Sequence, residues 1–543
     1  MSDFDLNTAL AQLDQLEATR AAYNHAMGVM SVDAVTAAPA ESAEGRGRTM
    51  EVLSGVIYRL TADPKNRELL EELENHADSL DATRMRQVQL LRKEVDQLSR
   101  IPQQEYVDYT VLLNQAGAVW HKAKNENDFA AFAPYLERIV EYNRKFAGYY
   151  NPALPAYDAL LNEYEEGLTT AMLDEFFDRL RRNLVPLIHR VSAAEQIDDS
   201  FLSRHYPVEQ QRRFSQYLMQ VMGIDPQRCT LAETEHPFTD GNNNRDVRIT
   251  THYYEDRLDS SMYSVIHEGG HALYELGGSD EHNFTCLQGG VSMGIHESQS
   301  RFYENLVGRS RAFIQLIFPK MQELFPEQLR DVTAEQMYRA VNRAQPSLIR
   351  TEADELTYSL HVMVRYELEK RLIDGTLVVQ DLPKAWNDLY REYLGVEVPD
   401  DTHGCLQDSH WSGGSIGYFP SYALGSAYAV QMKAAMEREL GSVEDLIAHG
   451  ELDRVTQWLG EHIHRYGRLY PPCRLLEMCC GGFDPQFYID YLTEKYTELY
   501  HLYSKAIALF PVGNRANFNA FPHFWWRQHP RRSRRHRQGA PAR

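Results

Sequence analysis

From Asp3 to about Ala194 the sequence sets apolar residues three and four positions apart, between breaks at Pro, Gly and Asp, which is the spacing of amphipathic helices. The spacing predicts helices over 6–27, 67–98, 104–124 and 129–149, and further ones over 424–440, 451–464 and 484–502. One segment differs. In 242–256, Val247, Ile249, Thr251 and Tyr253 alternate with Arg248, Thr250, His252 and Tyr254, the period-two pattern of a half-buried strand. A chain patterned in this way folds as a mainly α protein with little sheet. At 543 residues it is long enough for two or three domains or for one large helical body.

Charge narrows the partners. A net charge of −21 argues against a nucleic-acid-binding body and for a solvated acidic surface. The opening residues carry Asp and Glu where a secretory signal needs a basic start and an apolar block, and no apolar run approaches the ~20 residues that span a bilayer. The expected location is therefore cytoplasmic, with no membrane partner. Six cysteines without a CxxC pair fit reduced thiols. The division read from composition is a body over 1–505 and a basic tail over 506–543. Residues 511–543 contain eight arginines, no lysine, no acid and the aromatic cluster Phe521, Phe524, Trp525 and Trp526, the composition of a disordered appendage.

The densest chemical signal is Ser261 to Gly278, where His267, Glu268 and His271 form HExxH. On a helix the two histidines lie four apart on one face and can share a metal ion, with Glu268 beside it. Asp259 or Ser260 is suited to cap this helix, and Gly277–Gly278 to end it. Gly269 and Gly270 each cost a helix on the order of 1 kcal/mol relative to Ala, so something comes close to the backbone there. A catalytic zinc site needs a third protein ligand and an open position. Glu297, 26 residues after His271 on the next predicted helix (296–307), is the leading candidate. Glu275 and Glu304 are less well placed by spacing, and His296 is a further option. Glu268 is then the general base, taking a proton from the attacking water and delivering it to the leaving amine. The class of reaction is metal-assisted peptide hydrolysis.

Six motifs then appear in order: His236-Pro237-Phe238, Asp246-Val-Arg248-Ile-Thr250, His267-Glu268-Gly-Gly-His271, His296-Glu297-Ser298-Gln299, Ile349-Arg350-Thr-Glu-Ala353-Asp354 and Gly404-Cys-Leu-Gln407-Asp408-Ser-His410-Trp411. Together they resemble the signature set of the carboxypeptidase Taq family of metallocarboxypeptidases. The helical regions on both sides are similar too, up to about Leu502, and the arginine-rich tail lies outside the resemblance. The resemblance implies a large helical body with a deep central active-site cleft, a small antiparallel sheet beside the HExxH helix, and a homodimer. It also implies removal of single residues from free peptide C-termini with broad specificity, using zinc or, in some members, cobalt. Carried over by position, it makes His267, His271 and Glu297 the ligands and Glu268 the catalytic acid/base.

An exopeptidase also needs a cation for the terminal carboxylate, and the planar fork of Arg suits it. Arg350 is the first choice by similarity to the family, and Arg248 the second, since it can pair with Asp246 instead. Donors for the oxyanion are expected from the Gly-rich loop 400–422, where His410, Tyr418 and Tyr422 are candidates by resemblance and loop mobility would allow closure over substrate. Asp246, Asp354 and Asp408 are open candidates for orienting the metal-binding histidines. The competing readings are an HExxH endopeptidase or peptidyl-dipeptidase, which shares the metal site without the carboxylate anchor, and a zinc-binding helical scaffold, which has no need of Glu268.

Overall fold

Helices dominate because the apolar stripes read from sequence find partners. A computed structural model describes residues 4–503, so the basic tail lies outside the described residues. Twenty α-helices and one three-stranded sheet occur among those described. Leu6–Thr36, Gln103–Glu126 and Phe129–Tyr150 start within one residue of the predicted segments and run one to nine residues beyond their ends. The predicted 67–98 helix is two helices, Pro64–Asn75 and Ala82–Arg100. Asp81 ends the gap by accepting from Arg84 N, a helix start that splits the stretch. Most buried apolar residues form one large core. A smaller one, built from Ala9, Leu13, Leu70, Leu73, Val88, Leu91 and Val95, holds the N-terminal helix against Pro64–Asn75 and Ala82–Arg100.

The sheet is mixed rather than antiparallel. Its order is β1 (Cys229–Glu233), β3 (Asp246–Thr251), β2 (Thr239–Asn243), with β1 parallel and β2 antiparallel to β3. β2 and β3 form a tight hairpin, and β1 joins the outer edge of β3, where it runs in the same direction. The 242–256 pattern therefore divides. Its first two residues finish β2, and the strand proper ends at Thr251. Val247, Ile249 and Thr251 face inward as the alternation requires, but Thr250 is enclosed as well, its hydroxyl serving Phe238 N.

The motif helix runs over Leu258–Leu276. It starts ahead of both proposed caps, with Arg257 at the cap position and no side-chain cap, while Asp259 in its first turn pairs with Arg257. Gly277 ends the helix in right-handed geometry and is small for another reason: a Cβ there would lie 2.5 Å from His464 Nδ1. The two motif glycines are explained in the same way. A Cβ on Gly269 would meet Met222 Cε at 2.7 Å, and one on Gly270 would meet Gln299 O at 2.6 Å and Ser300 Cα at 2.8 Å. Gly270 thus lets the backbone of the next helix, Met293–Arg301, press against the motif helix and bring Glu297 to the histidines. Gly270→Ala has no flexible side chain to displace. We expect it to destabilise the fold by about 1–3 kcal/mol, typical of overpacking, and to weaken metal binding; unchanged denaturation midpoint and metal content would refute this account of the glycine.

Candidate metal centre and catalytic site

On the motif helix the i, i+4 spacing sets His267 and His271 side by side, with ring centroids 5.0 Å apart. The predicted 296–307 helix is Met293–Arg301, capped by the Ser292 side chain on Ile295 N and continued by a π-helical turn, Phe302–Gly308. Glu297 Oε2 lies 3.8 Å from His267 Nε2 and 3.5 Å from His271 Nε2. One donor atom from each of these three residues falls within 4.8 Å of the others, and no other group of His, Cys, Asp or Glu among the described residues converges in this way. Two imidazole nitrogens and one carboxylate oxygen, with both Nε2 atoms turned inward, are a donor set that fits a divalent metal. Gly425, on the helix Pro420–Leu440, allows that helix to touch Glu297, because a Cβ there would lie 2.6 Å from Glu297 Cβ.

What orients the histidines is not what the sequence suggested. His267 Nδ1 is 2.8 Å from Glu304 Oε2. His271 Nδ1 is 2.6 Å from His296 Nδ1, and His296 Nε2 is 2.8 Å from Glu275 Oε1. Glu304 and His296, weighed from sequence as ligands, therefore hold the outer nitrogens, and Glu275, weighed likewise, holds His296. The π-helical register turns Glu304 toward His267, in keeping with the tendency of such turns to lie at functional sites. Asp246, Asp354 and Asp408 do other work. Asp246 pairs with Arg248, Asp354 caps the helix Glu355–Asp374, and Asp408 pairs with two arginines.

Burial sets the electrostatics. It would raise the Glu297 carboxyl, but Arg301, His267 and His271 outweigh it and hold the group well below its usual range. Glu304 is held low in the same way, against burial, by Arg301, His267 and Arg309. Arg301 donates to Glu297 Oε1 at 2.7 Å and to Glu304 Oε2 at 3.1 Å. Burial pushes His271 down to about 3, so its ring is neutral at ordinary pH. Glu268 is buried and is raised, chiefly by that burial, while Thr239 Oγ1 donates to its Oε2 at 2.7 Å. A carboxyl with a raised pKa beside a metal-binding triad has the properties of a general base.

Around this centre the Gly-rich loop is pinned rather than loose. Arg350 lies in a single 3₁₀ turn, Arg350–Glu352, and not at the start of a long helix. Its Nε and Nη2 donate to Asp408 Oδ1 at 2.9 and 2.8 Å, and its Nη1 to Tyr358 Oη at 3.0 Å. The other carboxylate oxygen of Asp408 takes two donors from Arg365, which is fully buried. Farther along the loop, Glu369 accepts from Trp411 Nε1, Gly417 N and Tyr157 Oη at 2.8, 2.9 and 2.8 Å. Burial pushes the Glu369 carboxyl up to about 7. His410, Tyr418 and Tyr422 come together between these pins. His410 Nε2 is 3.0 Å from Tyr422 Oη, and the Tyr418 and Tyr422 rings are 5.1 Å apart. His410 Nδ1 is enclosed without a partner, and burial lowers the ring to about 4.

Tyr358 links the two halves of the site. Arg301 lies 4.1 Å over its ring while its hydroxyl serves Arg350. Sequence reading missed Tyr358, Arg301, Arg365 and Glu369. The one available signal was an i, i+4 pair, Glu297 and Arg301, on the helix that follows HExxH. Arg248 stands on β3 with Nε and Nη2 on Asp246 and its side chain about a quarter exposed.

A helical fold in which an HExxH helix and the following helix supply two histidines and a glutamate defines a metallopeptidase of the HExxH class. The chain belongs to the carboxypeptidase Taq (M32) metallopeptidase family, whose model matches residues 12–496. It is 40% identical over 482 residues to carboxypeptidase 1 of Bacillus subtilis, covering 88% of this chain and 96% of that protein. To thermostable carboxypeptidase 1 of Thermus thermophilus it is 39% identical, with the same coverage. The M32 carboxypeptidase structure from Deinococcus radiodurans superposes with a TM-score of 0.88 at 38% identity, over 91% of this chain and all of that one. The enzyme is accordingly a carboxypeptidase of this family, which acts on peptides with a divalent metal. No helix of the described residues is long and apolar enough to cross a membrane.

Proposed function

We propose that the enzyme hydrolyses single residues from the free C-terminus of peptides, with broad specificity, using a metal held by His267, His271 and Glu297 and Glu268 as general base. The observation that carries this is the convergence of those three donor atoms with the buried, Thr239-bonded carboxyl of Glu268 next to them. A bound divalent cation supplies Lewis acidity, polarising the scissile carbonyl and acidifying water. Glu268 Oε1, free of the Thr239 contact, takes the proton of the attacking water and passes it to the leaving nitrogen. Tyr418, Tyr422 and His410 supply the donors for the developing oxyanion. Both tyrosine hydroxyls are raised by burial, Tyr418 to about 12, so they remain protonated and able to donate. Zinc as the native ion, cobalt as a substitute, homodimeric assembly, a cytoplasmic location and a single domain over 1–505 belong to this reading and rest on the family resemblance.

For the terminal carboxylate we favour Arg248 over Arg350. Every nitrogen of Arg350 is engaged and the residue is 5% exposed, so a substrate would have to break the Asp408 pair to reach it. Arg248 keeps Nη1 free of any partner among the described residues. Arg350 then holds Asp408 and the loop in position.

The test compares a peptide with a free C-terminus and its C-terminal amide, with and without chelator, with products read by mass. Single-residue ladders from the free peptide only, lost with chelator, are expected. Equal cleavage of the amide, or internal fragments, would replace this reading with an endopeptidase.

A further inference from the structure

Beside Glu268 lies a cavity of about 340 Å³ whose lining includes none of the residues assigned to the metal, the base or the oxyanion. Thr239 of edge strand β2 touches Glu268, and the next residue, Asp240, points to the opposite face of the strand and lines this cavity. The N-terminal helix and the loop 284–288 form the other walls.

Three features meet there. Asp240 Oδ2 is enclosed without a hydrogen-bond partner, a state that folded proteins rarely leave uncompensated. The guanidinium of Arg468 lines the wall with no hydrogen bond or ion pair among the described residues, although its backbone N and O are bonded to Leu287 and Arg86. Phe284 at the rim is 51% exposed and holds φ 63°, a left-handed backbone that bulky residues rarely adopt. The unpartnered Asp240 oxygen and the left-handed Phe284 backbone are each unfavourable alone, and a functional site is where such features are retained together.

The other charged groups of the cavity each have at least one partner. Arg20 pairs with Glu94, although its Nε is enclosed without a partner, and His25 Nε2 lies 3.7 Å from Asp246. Glu17 accepts from Gln87 Nε2 and Cys286 N, at 2.9 and 2.8 Å. Arg248, which faces Asp240 across the strand pair, pairs with Asp246 through Nε and Nη2. Asp240 and Arg468 are the anion and the cation left with no side-chain hydrogen bond or ion pair among the described residues. That is the complement of a zwitterion: an ammonium for Asp240, a carboxylate for Arg468, and an apolar side chain for the Phe284 ring.

We propose that this cavity is a binding site for a free α-amino acid, separate from the metal centre. Occupation gives Asp240 Oδ2 a charged donor and Arg468 a bidentate acceptor, the strongest class of partner for each. Burial raises the Asp240 carboxyl in spite of the opposing charge of Arg248. The ligand class is also what a carboxypeptidase releases, so the site lets the enzyme sense its product.

Calorimetric titration of the metal-loaded enzyme with L-phenylalanine tests the proposal without turnover, so its failure leaves the hydrolytic reading untouched. Saturable binding is expected, weakened at least tenfold for L-phenylalanine amide, which lacks the carboxylate, and for N-acetyl-L-phenylalanine, which lacks the ammonium. Arg468→Gln should erase the preference over the amide and Asp240→Asn the preference over the acetylated form, while Arg248→Gln leaves both intact. Absence of saturable binding, equal binding of the three probes, or loss in Arg248→Gln with Arg468→Gln unchanged would overturn it, the last by placing the amino acid at the catalytic centre.

Discussion

Glu268→Gln is expected to lower kcat by about 10²–10⁴-fold, the range attributed to a positioned proton-transfer group, with metal content and stability unchanged. The amide keeps an oxygen to accept the Thr239 hydroxyl, so the local fold has no reason to move. It cannot take a proton. Glu268 is also outside the group of donor atoms that converge for a metal, so the ion should stay. Steady-state kinetics paired with metal analysis of the same sample decides the matter. Loss of the metal would make Glu268 a ligand, and retention of most of the activity would leave the base elsewhere.

Asp408→Ala should be among the most destabilising single changes in the body. Its carboxylate is the shared partner of Arg350 and Arg365, with side chains 6% and 0% exposed. Removing it leaves two buried cations uncompensated, at about 3–5 kcal/mol for a broken buried pair. A chemical denaturation midpoint within error of the parent would exclude this role. The same group fixes a sign for acid sensitivity. Asp408, Glu297 and Glu304 all have carboxyls held below their unfolded values, in each case by neighbouring cations that outweigh burial. Their stabilisation is present above the unfolded values, about 3.9–4.3, and is lost as pH falls below them. Glu369 acts in the opposite sense. Burial raises it to about 7, so its contribution is complete below the unfolded value and declines as pH climbs toward neutrality.

The separation between what could and could not be read from the sequence follows the range of each interaction. His267 and His271 are fixed to one face by helical repeat alone, and Glu297 could be named because a helical hairpin needs few residues to return. The boundary of its helix, however, was misplaced at both ends, since neither the Ser292 cap nor the π-helical turn is visible in apolar spacing. The glycines announced a close approach, but not that the visitor is the Gln299–Ser300 backbone. Arg350 was recognisable as a motif residue, yet its engagement with Asp408 depends on a chain segment 58 residues away. Loop 400–422 read as free to move because Gly, Ser and Tyr show no periodicity. Its restraints come from Glu369 on another helix.

The sequence by itself determined the helical class, the HExxH pattern and the family, because each rests on residues whose relation is set by helix geometry or by ordered motifs. Only the tertiary structure decided which carboxylates orient the histidines, which arginine keeps a free nitrogen, and how the three strands are ordered. Those outcomes depend on which long-range partner satisfies each buried charge and backbone group, and packing of the whole chain makes that choice.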